Sequence, residues 1–368
     1  MSQETKTIAP KRVLSGMRPT GRLHLGNYMG ALKNWVALQN ETLADGTPKY
    51  DCYFFVADFH ALTTDYADTS ALKQNVRDVV LDFLAGGLDP ARSVVFRQSH
   101  VLPHFALHNL LEMITPLGWL ERVPTYKDQQ EQLREKDLAT IGFLGYPVLQ
   151  SADILIYQAE FVPVGQDQAA HVEITREIAR RFNHLYGSKS KVADAKSDKE
   201  RLAELEQETD VREILPEPKV LLTPSPKLPG TDGRKMSKSY GNTILLSDPE
   251  DQIRAKLKTM VTDPARVRRT DPGNPDVCPV FDLHKVFSSA EVQAQAAEGC
   301  RSAGIGCIQC KGWVADAVVA ELKPIQERRA YFEAHPDEVD AVLREGAKRA
   351  NARADETLKQ VYSAVGIE

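Results

Sequence analysis

Short β-branched or aromatic runs alternate with longer amphipathic stretches along the first half of the chain. The longer stretches carry apolar residues at helical spacing, and they predict helices at 28–39, 71–84 and 106–114. The short runs predict strands at 12–15, 50–57, 93–98, 161–164 and 219–223. Strands that are separated by crossover helices form a parallel, doubly wound sheet, which binds its ligand beyond the carboxyl ends of the strands. The pattern therefore predicts an α/β, Rossmann-like fold.

The second half loses its strand signals beyond about Pro249. Amphipathic helices are predicted at 314–322, 325–332 and 339–362, with Pro324 and Pro336 between them. The segment 188–217 is rich in charged residues, which predicts a charged surface helix or a mobile insertion. We therefore expect a Rossmann-like catalytic domain at 1–245 and an all-helical domain at 246–368.

Composition narrows the class of protein. The chain has 368 residues, 42% of them hydrophobic, and a formal net charge of −5. No run approaches the ~20 apolar residues that cross a bilayer, and residues 1–11 lack the apolar core of a signal peptide, so we expect a cytoplasmic protein. The net charge argues against indiscriminate coating of nucleic acid, although a local basic patch can still bind RNA. One basic patch comprises Arg254, Lys256, Lys258, Arg266, Arg268 and Arg269; the charges alone favour a solvated surface.

A candidate phosphate site follows the first predicted strand. The string His24-Leu25-Gly26-Asn27 stands where the next helix begins. A helix N-terminus offers unpaired N–H groups and partial positive charge, so it suits phosphate. His24 can donate to a phosphate oxygen, and Gly26 has no side chain to keep an adenine ring from the backbone. Alone the string is weak evidence, because a capped helix with a surface histidine also explains it.

A second candidate segment, Lys235-Met236-Ser237-Lys238-Ser239, follows a loop that contains Gly230 and Gly233. Two lysines on a movable loop can neutralise the charge that develops on a triphosphate as pyrophosphate leaves. A basic surface loop is the simpler explanation of this segment by itself. However, one segment follows the first strand and the other follows the last strand of the same predicted sheet. We therefore expect both at the same end of the sheet.

Together the two segments resemble the adenylate-binding signatures of class I aminoacyl-tRNA synthetases. Wider strings resemble the tryptophanyl-tRNA synthetase family in particular, and they span nearly the whole chain: 15–21, 24–32, 146–147, 152–155, 162–165, 167–168, His171 and 324–328. This resemblance implies ATP-dependent activation of tryptophan with Mg²⁺ on the phosphates, and transfer of the amino acid to tRNA(Trp). It also implies a homodimer and an anticodon-binding role for the helical domain.

The resemblance further implies roles for individual residues. Asp153 would accept the indole N–H of tryptophan, and the rest of the tryptophan site would be Tyr146, Gln150, Gln168 and His60. Many bacterial relatives carry methionine where this chain has Gln150. His24, Lys235 and Lys238 would be catalytic. ATP would contact Arg18, Thr20, Gly26, Asn27, Gly165, Asp167, Lys235, Met236, Ser237, Lys238 and Ser239. From the residues alone, Asp153 is an ordinary solvent-facing helix residue.

Four of the five cysteines lie in one segment, with the spacing C-x21-C-x6-C-x2-C: Cys278, Cys300, Cys307 and Cys310. Four thiolates can bind Zn²⁺ or a [4Fe–4S] cluster, and the dispersed spacing differs from paired zinc knuckles. A subset of the tryptophanyl family carries a [4Fe–4S] cluster with similar spacing, so we expect that cluster, with Zn²⁺ as the alternative. Four unligated thiols remain a third interpretation.

Two other functions remain open at this stage. A tyrosyl-tRNA synthetase shares the fold and the chemistry, and it also uses an aspartate near position 153. A catalytically retired paralogue could serve as an RNA-binding or iron–sulfur module.

Overall fold

A five-stranded parallel sheet lies at the centre of the computed structural model, which describes residues 9–123, 137–165, 168–188, 197–222 and 228–367. Its strand order is β3-β2-β1-β4-β5. The strands are β1 (Lys11–Met17), β2 (Tyr50–Val56), β3 (Ser93–Arg97), β4 (Phe161–Val164) and β5 (Lys219–Leu222). The predicted α/β class and its five strands are confirmed, and the strand ends lie within two residues of those predicted.

Helices cover both faces of the sheet, which is why the central strands β2 and β3 bury consecutive residues rather than alternating ones. On one face Trp35 stacks on Phe54, with ring centroids 4.9 Å apart, and Phe83 packs edge-on against Trp35 at 5.4 Å. On the other face Phe55 stacks on Phe96 at 5.4 Å. These aromatic layers belong to two separate hydrophobic cores, one on each side of the sheet.

The first helix, α1, has an α-helical start (Leu25–Asn27), a π-helical turn (Tyr28–Leu32) and an α-helical end (Lys33–Asn40). Such π turns are often found at functional sites. The other helices of the first part are α2 (Asp58–Asp65), α3 (Leu72–Ala85), α4 (Pro103–Ile114), α5 (Leu117–Glu121), α6 (Ile141–Leu155), α7 (Ala169–Gly187) and α8 (Asp198–Glu206). The helix α8, capped by Ser197, is the charged surface helix expected within 188–217; residues 189–196 lie outside the described part.

The second part is helical, as expected. Its helices are α9 (Glu250–Thr259), α10 (Pro279–Phe287), α11 (Ala290–Arg301), α12 (Cys307–Ala334) and α13 (Pro336–Val365). Pro336 begins α13, where its missing N–H costs nothing. The break expected at Pro324 was wrong, because α12 continues through it. Buried Leu322 and Ile325 flank the proline, so packing on both sides outweighs the lost hydrogen bond.

The helical part shares both hydrophobic cores with the sheet. The helix α12 packs against α3, and α13 packs against β3. Helices after residue 245 therefore pack against the sheet and helices before it. The division into domains at 1–245 and 246–368 stays a prediction. In the described part of the chain, no helix is long and apolar enough to cross a membrane.

The contact between α13 and β3 generates a stability prediction. A Cβ added to Gly346 would lie 1.8 Å from the carbonyl oxygen of Val95, so Gly346→Ala must push the helix off the strand. We expect the free energy of unfolding to fall by about 1–3 kcal/mol, measured by urea denaturation. Gly312→Ala, in α12, is the matched control: a Cβ there meets nothing within 4 Å, and stability should rise by about 0.5–1 kcal/mol. Equal stability of the two variants would contradict the close packing.

Candidate active site

The structure brings the two candidate phosphate-binding segments together. The Leu25 N–H donates to the Ile244 carbonyl at 2.9 Å, and the Leu246 N–H donates to the Leu23 carbonyl at 2.9 Å. These antiparallel bonds join the start of α1 to the chain just after the lysine loop, so both segments lie beyond the carboxyl end of β1.

His24 caps α1 and is held neutral. Its backbone N–H donates to Asn27 Oδ1 at 3.2 Å, and its Nδ1 accepts from the Asn27 N–H at 3.3 Å, which forms a reciprocal cap. Burial lowers the pKa of His24 to about 4, with a further contribution from the positive charges of Lys238 and Lys235. Because Nδ1 accepts a bond, the proton of the neutral ring is on Nε2, which leaves that N–H as a donor.

The lysine loop is folded onto the turn before α1. Lys238 Nζ donates to the carbonyls of Thr20, at 3.0 Å, and Gly21, at 2.8 Å. Burial lowers the pKa of Lys238 to about 8, and the carboxylates of Asp82 and Asp78 oppose that effect. The ammonium therefore stays largely charged at neutral pH.

The shape of this loop depends on Asn242, which the sequence analysis did not identify. Its Oδ1 accepts from the Ser237 N–H at 2.8 Å, and its Nδ2 donates to Asp232 Oδ1 at 2.7 Å. Within the loop Met236 is buried, Ser237 is half-buried, and Lys235 and Ser239 are exposed. The side chain of Met236 packs near Gly26, where an added Cβ would lie 2.9 Å from the His24 ring. Any side chain at Gly26 would therefore displace the imidazole.

A cavity of about 340 Å³ opens beside the ends of β1 and β4. The five residues expected to bind tryptophan all line it: His60, Tyr146, Gln150, Asp153 and Gln168. Arg18, from the expected ATP-binding set, lines it as well, next to Gly16. Gly165 follows β4, and its carbonyl accepts from the Gln168 N–H at 3.0 Å. Asp167 lies outside the described residues.

Asp153 lies at the base of this cavity and is 1% exposed, contrary to the solvent-facing position that the residues alone favoured. Its Oδ1 contacts His104 Nδ1 at 2.5 Å and Gln98 Nε2 at 2.8 Å, and its Oδ2 contacts His60 Nε2 at 2.8 Å. Burial favours the neutral acid, but the charge and hydrogen bonds of His104 and His60 outweigh it and lower the pKa of Asp153 to about 2. The cavity therefore has an ionised carboxylate at its base.

Two residues behind Asp153 were missed by the sequence analysis. His104 is fully buried in α4, and its Nε2 contacts the hydroxyl of Tyr157 at 2.7 Å. Gln98, also fully buried, stands one residue after β3. The sequence did offer one signal for His104, which lies on the same apolar helix face as Leu107 and Leu111. A histidine on such a face is buried and therefore needs a hydrogen-bond partner.

A second hydrogen-bonded chain also lines the cavity. The Tyr146 hydroxyl contacts His171 Nε2 at 3.2 Å, and His171 Nδ1 contacts Gln150 Oε1 at 2.9 Å. The carbonyl oxygen of Gln150 requires a donor, so His171 carries its proton on Nδ1 and accepts from Tyr146. Gln150 is thus held in place by this histidine.

The cysteine segment shows proximity without a formed metal site. Burial, together with the nearby thiols of Cys278, Cys300 and Cys307, raises the pKa of Cys310 to about 12, so the four cysteines lie within electrostatic range of one another. Over the described residues, however, no group of three or more His, Cys, Asp or Glu side chains is arranged to hold a metal ion. The expected cluster is therefore not confirmed.

The basic patch is smaller than its sequence suggests. Arg266 is buried, and its Nη2 donates to the Ile305 carbonyl at 2.6 Å. Arg254 pairs with Glu250, and Lys256 pairs with Asp248 at 2.6 Å. Lys258, Arg268 and Arg269 are exposed.

Comparisons with known proteins agree with this geometry. The family model described as tRNA synthetases class I (W and Y) matches residues 6–323. The tryptophan–tRNA ligase of Ralstonia nicotianae is 48% identical over 405 residues, which cover 97% of this chain and 99% of that protein. That of Thermotoga maritima is 49% identical over 357 residues, with the same coverage. The crystal structure of the Campylobacter jejuni tryptophanyl-tRNA synthetase with ADP and tryptophan superposes with a TM-score of 0.80, at 32% identity and 96% and 99% coverage.

The environment of His24 predicts an unusual titration. Nitrogen-detected NMR of the histidine rings should show His24 neutral, with its proton on Nε2, until the pH falls to about 4. Replacing Lys238 with Ala should move that midpoint upward, because a positive neighbour is removed. The variant His24→Gln assigns the signal. A midpoint near the usual ~6.5 would contradict the buried, cation-flanked position.

Proposed function

This chain belongs to the class I tRNA synthetases for tryptophan and tyrosine, and from that membership we propose how its residues select tryptophan and join it to tRNA. Its reaction is that of a tryptophan–tRNA ligase, so the tyrosyl and catalytically retired alternatives are set aside. ATP and Mg²⁺ are typical of the family. The observation that carries the proposal is the buried, ionised Asp153 at the base of the cavity.

Asp153 selects the amino acid. Tryptophan is a large apolar side chain with one polar group, the indole N–H, and an ionised carboxylate can only accept hydrogen bonds. Of the side chains that contact Asp153 among the described residues, His60 lines the cavity, whereas Gln98 and His104 lie behind it. The indole N–H therefore approaches Oδ2, on the side of His60. A phenylalanine ring would offer no donor there, which disfavours it.

The reaction needs no side-chain nucleophile. The tryptophan carboxylate attacks the α-phosphorus of ATP and releases pyrophosphate, and the 2′-hydroxyl of the terminal tRNA adenosine then takes the acyl group and releases AMP. Tyr146 and Gln168 hold the α-amino group. His24 donates its Nε2–H to a phosphate oxygen, while Lys235 and Lys238 neutralise the leaving pyrophosphate. Mg²⁺, when bound to the phosphates, adds further charge neutralisation.

ATP binding also requires Lys238 to change partners. In the structure its ammonium is held by the neutral carbonyls of Thr20 and Gly21, and a triphosphate is a stronger acceptor. The lysine loop would thus move from this turn to the phosphates. The remaining proposed ATP contacts are Arg18, Thr20, Gly26, Asn27, Gly165, Asp167, Met236, Ser237 and Ser239.

The proposed role of Asp153 is tested by Asp153→Asn. The amide keeps the shape but replaces one acceptor oxygen with a donor, so we expect kcat/KM for tryptophan in pyrophosphate exchange to fall about 10–100-fold while the KM for ATP changes little. Asp51→Asn, at the opposite end of β2, is the matched control and should behave like the unaltered chain. Unchanged kinetics for tryptophan in Asp153→Asn would contradict the proposal.

We also propose that the helical part binds the anticodon and that four cysteines in it hold a [4Fe–4S] cluster, with Zn²⁺ as the alternative. Cys278, Cys300, Cys307 and Cys310 lie within electrostatic range of one another, and the donor set fits, since thiolates are the usual ligands of such clusters. Arg266 Nη1 lies 3.7 Å from Cys300 Sγ, where a cation offsets thiolate charge. The cluster would link α10, α11 and α12 and take no part in the chemistry.

Elemental analysis of the anaerobically purified chain tests this proposal. We expect iron and acid-labile sulfide in equal amounts, with broad absorption near the blue end of the spectrum. Cys300→Ser should lower the iron content, whereas Cys52→Ala, which removes the buried cysteine of β2, should not. One zinc per chain would favour the alternative, and no metal at all would overturn both.

We propose that two chains pair through α4, α5 and the start of α6. Met113, Leu117 and Ile141 are 72%, 58% and 83% exposed there, although they are large and apolar. The helices α4 and α6 lie next to each other, because a Cβ added to Gly145 of α6 would lie 3.3 Å from the Glu112 carboxylate of α4. Apolar side chains clustered on a surface mark protein interfaces, and the resemblance implies a two-fold dimer.

Sedimentation of single variants tests the dimer. Met113→Asp would bury a charge at the interface, so the mass should shift from two chains toward one at micromolar concentration. Ile367→Asp changes an equally apolar residue near the end of the chain that is 58% exposed, and it should leave the dimer intact. Dissociation of both variants, or of neither, would contradict the proposed face.

A further inference from the structure

An arginine of the helical part is buried against the helix that adjoins the ATP site. Arg329, in α12, is 3% exposed. Its Nη2 donates to Asp78 Oδ1 at 2.6 Å, its Nη1 donates to Asp82 Oδ1, and both carboxylates belong to α3. The third donor, Nε, contacts Glu333 Oε1 at 3.0 Å. The guanidinium therefore bridges the carboxylates of Asp78 and Asp82, which are about 250 residues away in sequence.

Asp82 connects this ion pair to the proposed ATP site. It is fully buried, and its second oxygen, Oδ2, accepts from the Leu23 N–H at 2.6 Å. The carbonyl of the same residue, Leu23, accepts from the Leu246 N–H, and His24 follows directly. The residue before His24 is thus held from both sides, by the end of the lysine-loop segment and by the carboxylate that Arg329 orients.

A buried ion pair of this kind is weak evidence for stability, because apolar residues of similar volume often serve as well. Its consequence is geometric instead. A planar guanidinium with two carboxylate partners has little freedom to rotate, so the orientation of Asp82 is fixed. Asp82 and Asp78 also lie close enough to Lys238 to favour its charged form.

We propose that Arg329 is a positioning residue for adenylate formation: through Asp82 it fixes the Leu23 peptide and hence the location of His24. The proposal rests on the role proposed above for His24. It makes α12, in the helical part, a component of the ATP site, so a displacement of α12 would alter the position of His24.

Arg329→Lys tests this. Lysine keeps the charge but lacks the planar fork that fixes the orientation of both carboxylates, so Leu23 should shift, and kcat for tryptophan-dependent pyrophosphate exchange should fall about 10–100-fold. The tryptophan dissociation constant should stay within about two-fold, because Asp153 lies in a separate network. Arg328→Lys is the matched control: Arg328 donates to the Ala85 carbonyl of the same helix, at 2.6 Å, and contacts neither carboxylate. It should retain normal kcat.

A second variant separates positioning from stability. Arg329→Met combined with Asp78→Asn and Asp82→Leu removes the arginine charge and both of its buried carboxylate partners, so no buried charge is left unpaired, but the Leu23 N–H loses its acceptor. We expect this combined variant to fold normally while its kcat stays low, and recovery of kcat would overturn the proposal. Normal kcat in Arg329→Lys would overturn it as well. So would a loss of tryptophan binding in Arg329→Lys as large as the loss of kcat. Absence of exchange in the unaltered chain would instead refute the proposed role of His24, and this inference with it.

Discussion

The proposed ATP site depends on one short stretch of backbone pairing, in which Leu23 and Leu25 bond to Leu246 and Ile244. The two segments are more than 200 residues apart in the chain, so their meeting is the costly, non-local step in forming the site. Once joined, they place His24, the cap of α1, beside the lysine loop. There burial and the positive charges of Lys238 and Lys235 lower the pKa of His24. A neutral imidazole with its proton on Nε2 and a charged Lys238 would then face the same triphosphate, as the proposed roles require.

The amino-acid cavity follows a second constraint, the burial of the Asp153 charge. A carboxylate without water must be compensated, and side chains from three separate elements do so: Gln98 after β3, His104 of α4 and His60 of α2. Tyr157 then holds the far side of His104. The base of the cavity is thereby rigid, which is what the proposed discrimination by a single indole N–H requires.

Local features of the fold followed from the sequence, and features formed by distant residues did not. The strands could be placed because a sheet covered on both faces demands continuous apolar runs, and the signature strings located the residues that line the cavity. Gln98 and His104 were missed, because each is unremarkable in its own segment and acquires a role only where three elements converge. Arg266 was counted in a surface patch, but it is buried where it donates to the Ile305 carbonyl. Pro324 was taken as a break, yet packing around Leu322 and Ile325 carries α12 through it.

Amino-acid selection by the cavity is tested most directly by pyrophosphate exchange with the unaltered chain, offered tryptophan, tyrosine or phenylalanine one at a time. With Asp153 ionised at the base of the cavity, exchange should proceed with tryptophan and be at least about 100-fold slower with phenylalanine, whose ring has no donor. Tyrosine has a hydroxyl donor, so its rejection is expected from the relationship to tryptophan–tRNA ligases. Comparable exchange with phenylalanine would contradict selection through the indole N–H, and exchange driven only by tyrosine would contradict the assignment to tryptophan.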